Sequence, residues 1–211
     1  MTQKNIAIVD YGVSNLWSVL KAVRKFAPGA YITEEKEKIE IADAIILPGI
    51  GTFKAGMEGL RVRGLVEVLQ QAAKKGTPIL GICLGAQLLL EKGFEFGEWE
   101  GLGIIKGKVV HFPDLGDGVK IPAIGWQEVS PTSTEAKRLL GDTDKPFFYF
   151  VHSYVLEPTN PESVWATTNY GWYTYCATVG EGSVMGTQFH PEKSADAGLA
   201  LLRVFCEGGS L

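Results

Sequence analysis

One short segment constrains the backbone of this chain more than any other. The run from Thr77 to Ile82 is apolar, β-prone and bounded by glycine and proline, as is typical of a buried strand, and Ala86 to Glu91 are good helix formers. Cys83 is therefore expected on a strand-to-helix turn. Gly81 and Gly85 flank it at two residues on either side, which allows the sharp turn of a nucleophile elbow. N–H groups at the start of the helix would favour a thiolate there. The alternative is a buried structural cysteine that packs as a small hydrophobe.

A second segment, His190-Pro191-Glu192, supplies the other groups that a cysteine nucleophile needs. Pro191 favours extended backbone on both sides, and residues two apart in an extended segment point to the same side. The Glu192 carboxylate is then expected to meet the His190 ring nitrogen that faces away from the sulfur. The sequence thus predicts a nucleophile, a base and an orienting carboxylate. A solvated charged pair at a turn is the alternative for His190 and Glu192.

Strands and helices are predicted to alternate in the first half of the chain, which indicates an α/β fold with a parallel sheet covered on both faces. Predicted strands run from Ile6 to Asp10, Ala30 to Thr33, Ala44 to Leu47 and Ile79 to Ile82, with helices near Ser14 to Phe26 and Arg63 to Lys74. The second half predicts six strands between turn residues, then a closing helix from Asp196 to Cys206. These strands are expected either to extend the sheet or to form a small antiparallel sheet beside it. No linker divides the chain, so residues 1–211 are predicted to form a single domain.

Composition excludes several classes of function. A formal charge of −4 gives no basic surface for nucleic acid or anionic membranes. No apolar run is long enough to span a bilayer. The three cysteines are odd in number and far apart, which favours a cytoplasmic location over a disulfide framework.

The sequence predicts neither a cofactor nor a metal. Only three histidines occur, and none pairs with a cysteine at zinc-like spacing. The segment Pro48-Gly49-Ile50-Gly51 lacks the ending of a phosphate-binding loop, so on its own it indicates a tight turn.

The motifs resemble those of the class I, triad-type glutamine amidotransferases, and among these the glutaminase subunits of imidazole glycerol phosphate synthase. The matching segments are Asp10-Tyr11-Gly12 with Asn15-Leu16, Leu47 to Phe53, Gly81 to Leu90, Gly125-Trp126, Phe150 to Tyr154 and Gly186 to Ser194. They extend over almost the whole chain. The resemblance implies a flavodoxin-like α/β fold and hydrolysis of L-glutamine to glutamate and ammonia.

The resemblance also assigns roles to individual residues. Cys83, His190 and Glu192 form the implied catalytic triad. Backbone N–H groups near Ile50 or Gly51, with that of Leu84, form the implied oxyanion hole. The implied glutamine contacts are Gly51, Gln87, Glu95, Ser153 and Tyr154.

A partner protein is implied in the same way. Such subunits form a heterodimer with a (β/α)8-barrel cyclase that receives the ammonia through a channel. Asn15, Trp17, Trp126 and Lys193 are the interface candidates, since aromatic and cationic residues often anchor interfaces.

Three positions depart from the pattern that these subunits usually show. Ser14 stands in place of glycine, Ala86 in place of methionine, and Ala123 near an expected histidine. None belongs to the implied triad. The change at Ala123 lies beside the implied interface and leaves room for a subunit that serves another synthase, such as one that aminates a surface sugar. A stand-alone γ-glutamyl cysteine hydrolase and a flavodoxin-like binding module with an inert Cys83 are further alternatives.

Overall fold

Helices and strands alternate in the first half of the protein, and short strands dominate the second half. The computed structural model describes residues 4–12, 15–140 and 146–208. Its strands are β1 Ile6–Val9, β2 Tyr31–Thr33, β3 Ala44–Leu47, β4 Ile79–Ile82, β5 Leu90–Gly93, β6 Trp99–Glu100, β7 Ile105–His111, β8 Ala123–Pro131, β9 Phe147–His152, β10 Tyr154–Pro158, β11 Val164–Tyr170, β12 Tyr173–Glu181 and β13 Val184–Thr187. Its α-helices are α1 Leu16–Val23, α2 Lys36–Glu40, α3 Phe53–Val62, α4 Val66–Lys74, α5 Leu84–Leu88, α6 Thr134–Leu140 and α7 Ala195–Gly208, and single 3-10 turns occur at Pro161–Ser163 and Pro191–Lys193.

A parallel half-sheet of order β2-β1-β3-β4-β13 forms the centre of the fold. Its strands are apolar at nearly every position because helices cover both faces. In β1, Ile6 and Ile8 belong to one apolar cluster with α1 and α7, whereas Ala7 and Val9 belong to another with α3 and α4. The predicted α/β class with a helix-flanked parallel sheet is confirmed.

The second half of the chain continues this sheet with mainly antiparallel pairs. Strand β13 pairs antiparallel with β12, and β12 pairs with both β10 and β11. Beyond β11 lie β8 and β9, which are joined by a regular antiparallel ladder from Ala123 opposite His152 to Glu128 opposite Phe147. This ladder runs beside the candidate site.

The carboxyl ends of the parallel strands bring four chemically distinctive segments to one edge. Asp10 follows β1, Pro48 follows β3, Cys83 follows β4, and Gln188 follows β13. In open α/β sheets this is the edge where ligands bind.

Several local predictions were wrong in detail. The expected helix from Ala86 to Glu91 is shorter, because α5 ends at Leu88 and the chain enters β5 at Leu90. The helix expected from Arg63 begins at Val66, and α2 and α3 were not anticipated. The helix expected from Ser14 to Phe26 corresponds to α1, Leu16–Val23, and Ser14 lies outside the described residues. None of the helices in the described ranges combines the length and the apolar character needed to cross a membrane.

Candidate active site

Cys83 occupies the junction between β4 and α5 in a backbone conformation that few side chains adopt. Its φ is 53° and its ψ is −108°, and its N–H donates a 2.7 Å hydrogen bond to the Thr187 carbonyl on β13. A positive φ at a non-glycine residue is strained, and such strain clusters at functional sites. Gly85 is required by close approach, since a Cβ there would lie 1.7 Å from the Leu47 carbonyl oxygen.

His190 and Glu192 meet through a side-chain hydrogen bond of 2.9 Å between Nδ1 and Oε1. The predicted contact is therefore present in the structure, but the expected extended backbone is not. His190 is extended, whereas Pro191–Lys193 forms one turn of 3-10 helix that brings the carboxylate to Nδ1. Both side chains are almost completely shielded, with exposed fractions of 2% and 0%. The pair is therefore buried, unlike a solvated pair at a turn.

The outward ring nitrogen of His190 is positioned toward Cys83. Nε2 is buried and has no hydrogen-bond partner among the residues that the structure describes. Burial by itself lowers the pKa of His190, but Cys83 and Glu192 outweigh burial and raise it above its ordinary value. Thiol and imidazole are thus close neighbours without a well-aligned hydrogen bond. This arrangement allows a proton to pass between sulfur and nitrogen.

Asn15 contributes a contact to this group that the sequence did not suggest. Its side-chain Nδ2 donates a 2.9 Å hydrogen bond to Glu192 Oε1, the oxygen that also contacts His190. Asn15 precedes α1 and has a φ of 78°, a left-handed conformation that asparagine tolerates better than most residues. The residue expected at a partner interface thus also touches the candidate triad.

A cavity of about 720 Å³ opens in front of Cys83 and His190. Its wall includes all the residues that were expected to form the oxyanion hole or to bind glutamine, together with one interface candidate: Ile50, Gly51, Leu84, Gln87, Glu95, Ser153, Tyr154 and Lys193. Leu84 is the first residue of α5, so its N–H has no acceptor within the helix. Gly51 has a φ of 122°, which favours glycine at this point of the wall.

Two of the expected glutamine contacts already have partners inside the protein. Gln87 is buried, and its Nε2 donates to the Tyr154 carbonyl and to Gln188 Oε1, each at 3.2 Å. Glu95 Oε2 accepts the Phe53 N–H at 2.6 Å and so caps α3. Both residues shape the wall through these bonds as well as by facing the cavity.

Three residues near the cavity were given no role by sequence reasoning. The Tyr11 hydroxyl donates to the Pro48 carbonyl and anchors the loop that leads to Gly51. Gln188 Nε2 lies 3.8 Å from Cys83 Sγ. His152 lines the cavity and is 6% exposed. The only sequence signal was that all three fall within the segments that carried the resemblance.

The remaining interface candidates lie on the surface. Trp17 is 76% exposed on α1, and Trp126 is 51% exposed on the outer face of β8. Ile124 and Phe147, also more than half exposed, share the outer face of the β8–β9 ladder with Trp126. Within the described ranges, no group of three or more His, Cys, Asp or Glu could hold a metal ion.

A model of the family described as glutamine amidotransferase class-I matches residues 7–207. The chain belongs to this family. Among curated members, it is 44% identical over 207 residues to "Imidazole glycerol phosphate synthase subunit HisH" of Symbiobacterium thermophilum, a match that covers 96% of this chain and 95% of that protein. It is 42% identical over 200 residues to the protein of the same name from a Synechocystis species, a match that covers 95% of this chain and 94% of that protein.

The fold of the class I glutamine amidotransferases is also found by structural comparison. A solved structure described as "Crystal structure of glutamine amidotransferase" superimposes with a TM-score of 0.73 at 20% identity, covering 96% of this chain and 98% of the other. At that identity the likeness supports the fold alone. The fold and the family predicted from the motifs are therefore confirmed.

Proposed function

We propose that this protein is the glutaminase subunit of an imidazole glycerol phosphate synthase, which hydrolyses L-glutamine to glutamate and ammonia for histidine biosynthesis. One observation carries the proposal. Cys83 lies on a strained strand-to-helix turn beside a buried His190–Glu192 pair, in a chain of this family with full-length relatives of that name. Amide cleavage needs a strong nucleophile and a proton donor for nitrogen, and this group supplies both.

The reaction follows from the placement of the three side chains. His190 Nε2 holds the proton of the Cys83 thiol, and the resulting thiolate attacks the side-chain carbonyl carbon of glutamine. The C–N bond then breaks, His190 returns the proton to the departing ammonia, and a γ-glutamyl thioester remains on Cys83. Water hydrolyses the thioester to glutamate. Glu192 holds Nδ1 and offsets the charge of the imidazolium, as its 2.9 Å contact and its effect on the pKa of His190 support.

The oxyanion hole is proposed at the end of the cavity near Leu84. The N–H of Leu84 is free of the helix, and the backbone of Ile50 or Gly51, which also line the cavity, supplies the second donor. The Tyr11 hydroxyl holds the Pro48 carbonyl and so supports this second donor. Glutamine is proposed to contact Gly51, Gln87, Glu95, Ser153 and Tyr154, all of which line the same cavity.

A partner subunit follows from the same function, because an imidazole glycerol phosphate synthase subunit works with another. We propose a (β/α)8-barrel cyclase that forms a heterodimer with this chain and receives the ammonia. The exposed Trp126 lies on the outer face of β8, which adjoins the cavity wall at Pro122 and Val151. Lys193 lines the cavity itself, Asn15 precedes α1, and Trp17 is in its first turn. Trp126, Lys193, Asn15 and Trp17 are the proposed contacts.

Two organisational proposals accompany the function. We propose one glutaminase domain over the chain, because a single network of paired strands connects β1 to β13. We propose a cytoplasmic location, since Cys83, Cys176 and Cys206 are all unpaired.

The proposal is tested by separating the two activities. The Cys83→Ala protein in complex with a cyclase is expected to form the synthase product from ammonium salt, faster at alkaline pH where more NH3 is present, and to form none from glutamine. The wild-type subunit alone is expected to hydrolyse glutamine slowly, and the nucleotide-loaded cyclase should raise that rate. Full glutaminase activity in the isolated chain, unchanged by any cyclase, would favour a stand-alone hydrolase.

A further inference from the structure

A buried group of polar side chains adjoins the cavity, with His152 in the cavity wall. His152 ends β9, Gln127 is on β8, Thr168 on β11 and Tyr175 on β12, and each is at most 9% exposed. They are surrounded by aromatic rings, among them Phe112 at 5.1 Å and Phe150 at 5.7 Å from the His152 ring. Burying a polar side chain in such surroundings costs free energy unless it is hydrogen-bonded. The hydrogen-bond partners of these four side chains therefore indicate their role.

The hydrogen bonds of His152 fix its protonation. Nδ1 lies 2.8 Å from the Tyr154 carbonyl, which can only accept, so Nδ1 carries a proton. Burial lowers the pKa of His152 to about 4, even though the Tyr154 carbonyl favours the charged form, and the ring is therefore neutral at neutral pH. Nε2 must then accept, and its partner at 3.0 Å is the Tyr175 hydroxyl.

The hydroxyls of Tyr175 and Thr168 fix the orientation of the Gln127 amide, because each hydroxyl has only one proton to donate. The Gln127 atom 2.8 Å from the Tyr175 hydroxyl is placed as Oε1, and Nε2 has no partner among the described residues. Because Tyr175 donates to His152, we assign the amide the other way round, with its NH2 group toward Tyr175. Thr168 donates to the Glu128 carbonyl at 2.7 Å, so its 3.3 Å contact with the same amide atom also requires NH2 there. Two independent contacts thus give one orientation of Gln127, in which the amide supports Tyr175 and Tyr175 supports His152.

The Tyr154 carbonyl connects this buried group to the nucleophile. The same oxygen that accepts from His152 also accepts from Gln87 Nε2 at 3.2 Å. Gln87 donates in turn to Gln188 Oε1 at 3.2 Å, and Gln188 Nε2 lies 3.8 Å from Cys83 Sγ. A continuous series of polar contacts therefore leads from β8 through the Tyr154 backbone to the sulfur.

We propose that His152, held in one tautomer by Tyr175 and Gln127, is a positioning residue that fixes the Ser153–Tyr154 wall of the substrate pocket and the Gln87–Gln188 pair beside Cys83. The inference rests on the proposed function, because it assigns the wall to glutamine. No bond forms or breaks at His152. An apolar ring would fill the same volume among Phe112 and Phe150 but would leave the Tyr154 carbonyl without its nearest side-chain donor, so packing alone does not account for a histidine here.

The test compares two tyrosines whose rings stack with centroids 6.3 Å apart, Tyr175 inside the polar group and Tyr173 outside it, facing Glu157. Tyr175→Phe removes only the hydroxyl that holds His152. With glutamine and the cyclase-bound full chain, this variant should raise KM about tenfold, the effect of one hydrogen bond of roughly 1.4 kcal/mol, and change kcat much less. Tyr173→Phe should leave both constants unchanged. The nitrogen NMR spectrum should show His152 as the neutral Nδ1–H form in the wild type and a shifted Nε2 signal in Tyr175→Phe.

A second pair of variants separates positioning from packing. His152→Asn keeps a donor toward the Tyr154 carbonyl and should recover part of the glutamine affinity that His152→Phe loses. A KM for Tyr175→Phe equal to that of Tyr173→Phe, or a fall in melting temperature with no change in KM, would overturn the positioning role. A wild-type complex that hydrolyses no glutamine would instead contradict the proposed function. The NMR signals of His152 would still test whether Tyr175 holds it in the neutral Nδ1–H form.

Discussion

Asn15 and Glu192 are 177 positions apart in the sequence, yet the Asn15 amide donates a 2.9 Å hydrogen bond to Glu192 Oε1. Because the same oxygen accepts from His190, Asn15 and His190 hold the carboxylate from two sides. Asn15 also precedes α1, whose exposed Trp17 is a proposed partner contact. The carboxylate of the proposed triad is thus attached to a segment that faces the proposed partner.

Replacing Asn15 should therefore impair catalysis more than docking. Asn15→Ala removes one of the donors to Glu192 Oε1. We expect glutaminase kcat in the complex to fall about 10- to 100-fold, since a hydrogen bond to a charged group contributes about 1.5–3 kcal/mol. Trp17→Ala, two residues away, is the matched control and should weaken cyclase binding without this loss at saturating cyclase. Titration calorimetry and steady-state rates distinguish the two effects. Equal kcat values for Asn15→Ala and wild type would mean that Asn15 does not position the triad.

A change at Glu192 should move the pH dependence of the reaction. The pKa of His190 lies above its ordinary value partly because of Glu192, and protonated His190 is needed to donate a proton to the departing amide nitrogen. Activity is therefore present below this pKa and lost as the pH rises through it. Glu192→Gln keeps the shape of the side chain but removes the charge, so the alkaline limb of the kcat profile should shift to lower pH by about one unit.

Glu162→Gln is the matched control, since Glu162 lies in the other 3-10 turn, away from the cavity. It should reproduce the wild-type profile. An alkaline limb that stays in place in Glu192→Gln would require another group to raise the pKa of His190.

The three cysteines should differ in reactivity. Burial raises the pKa of Cys176 and of Cys206 to about 12, so both remain thiols at neutral pH. Cys83 lines the cavity beside His190. A diazo-ketone analogue of glutamine should therefore give a single adduct on Cys83 by mass spectrometry, and L-glutamine should slow its formation. Cys83→Ala should remain unlabelled, and an adduct on Cys176 in the wild type would contradict the assignment of the nucleophile.

Local chemistry in the sequence was sufficient to locate the candidate nucleophile. Gly81 and Gly85 around Cys83 predict a sharp turn, but the positive φ of that turn falls on Cys83 itself. Gly85 is required instead by close packing, since a Cβ there would lie 1.7 Å from the Leu47 carbonyl oxygen. The His190–Glu192 contact was also predictable because the residues are neighbours in sequence. The 3-10 turn that forms it was not, since Pro191 is compatible with both extended backbone and a first helical position.

Features that depend on distant packing were missed. Helix α3 contains Gly56 and Gly59, which lower helix propensity, but a Cβ on Gly59 would lie 2.1 Å from the Tyr11 carbonyl oxygen. These glycines serve close packing, which a single sequence does not reveal. The bonds of Asn15 to Glu192 and of His152 to Tyr175 depend equally on which strands and loops become neighbours.

The outer face of the β8–β9 ladder provides the last prediction. Trp126 is 51% exposed beside Ile124 and Phe147, an apolar surface next to the cavity, whereas Trp172 is 66% exposed in the turn between β11 and β12. If the proposed cyclase docks on this face, Trp126→Ser should weaken the complex about 30-fold, because a buried aromatic anchor is worth about 2 kcal/mol or more. Trp172→Ser removes a similarly exposed tryptophan outside this face and should leave the dissociation constant unchanged. Titration calorimetry with the nucleotide-loaded cyclase measures both constants, and an equal effect of the two substitutions would place the interface elsewhere.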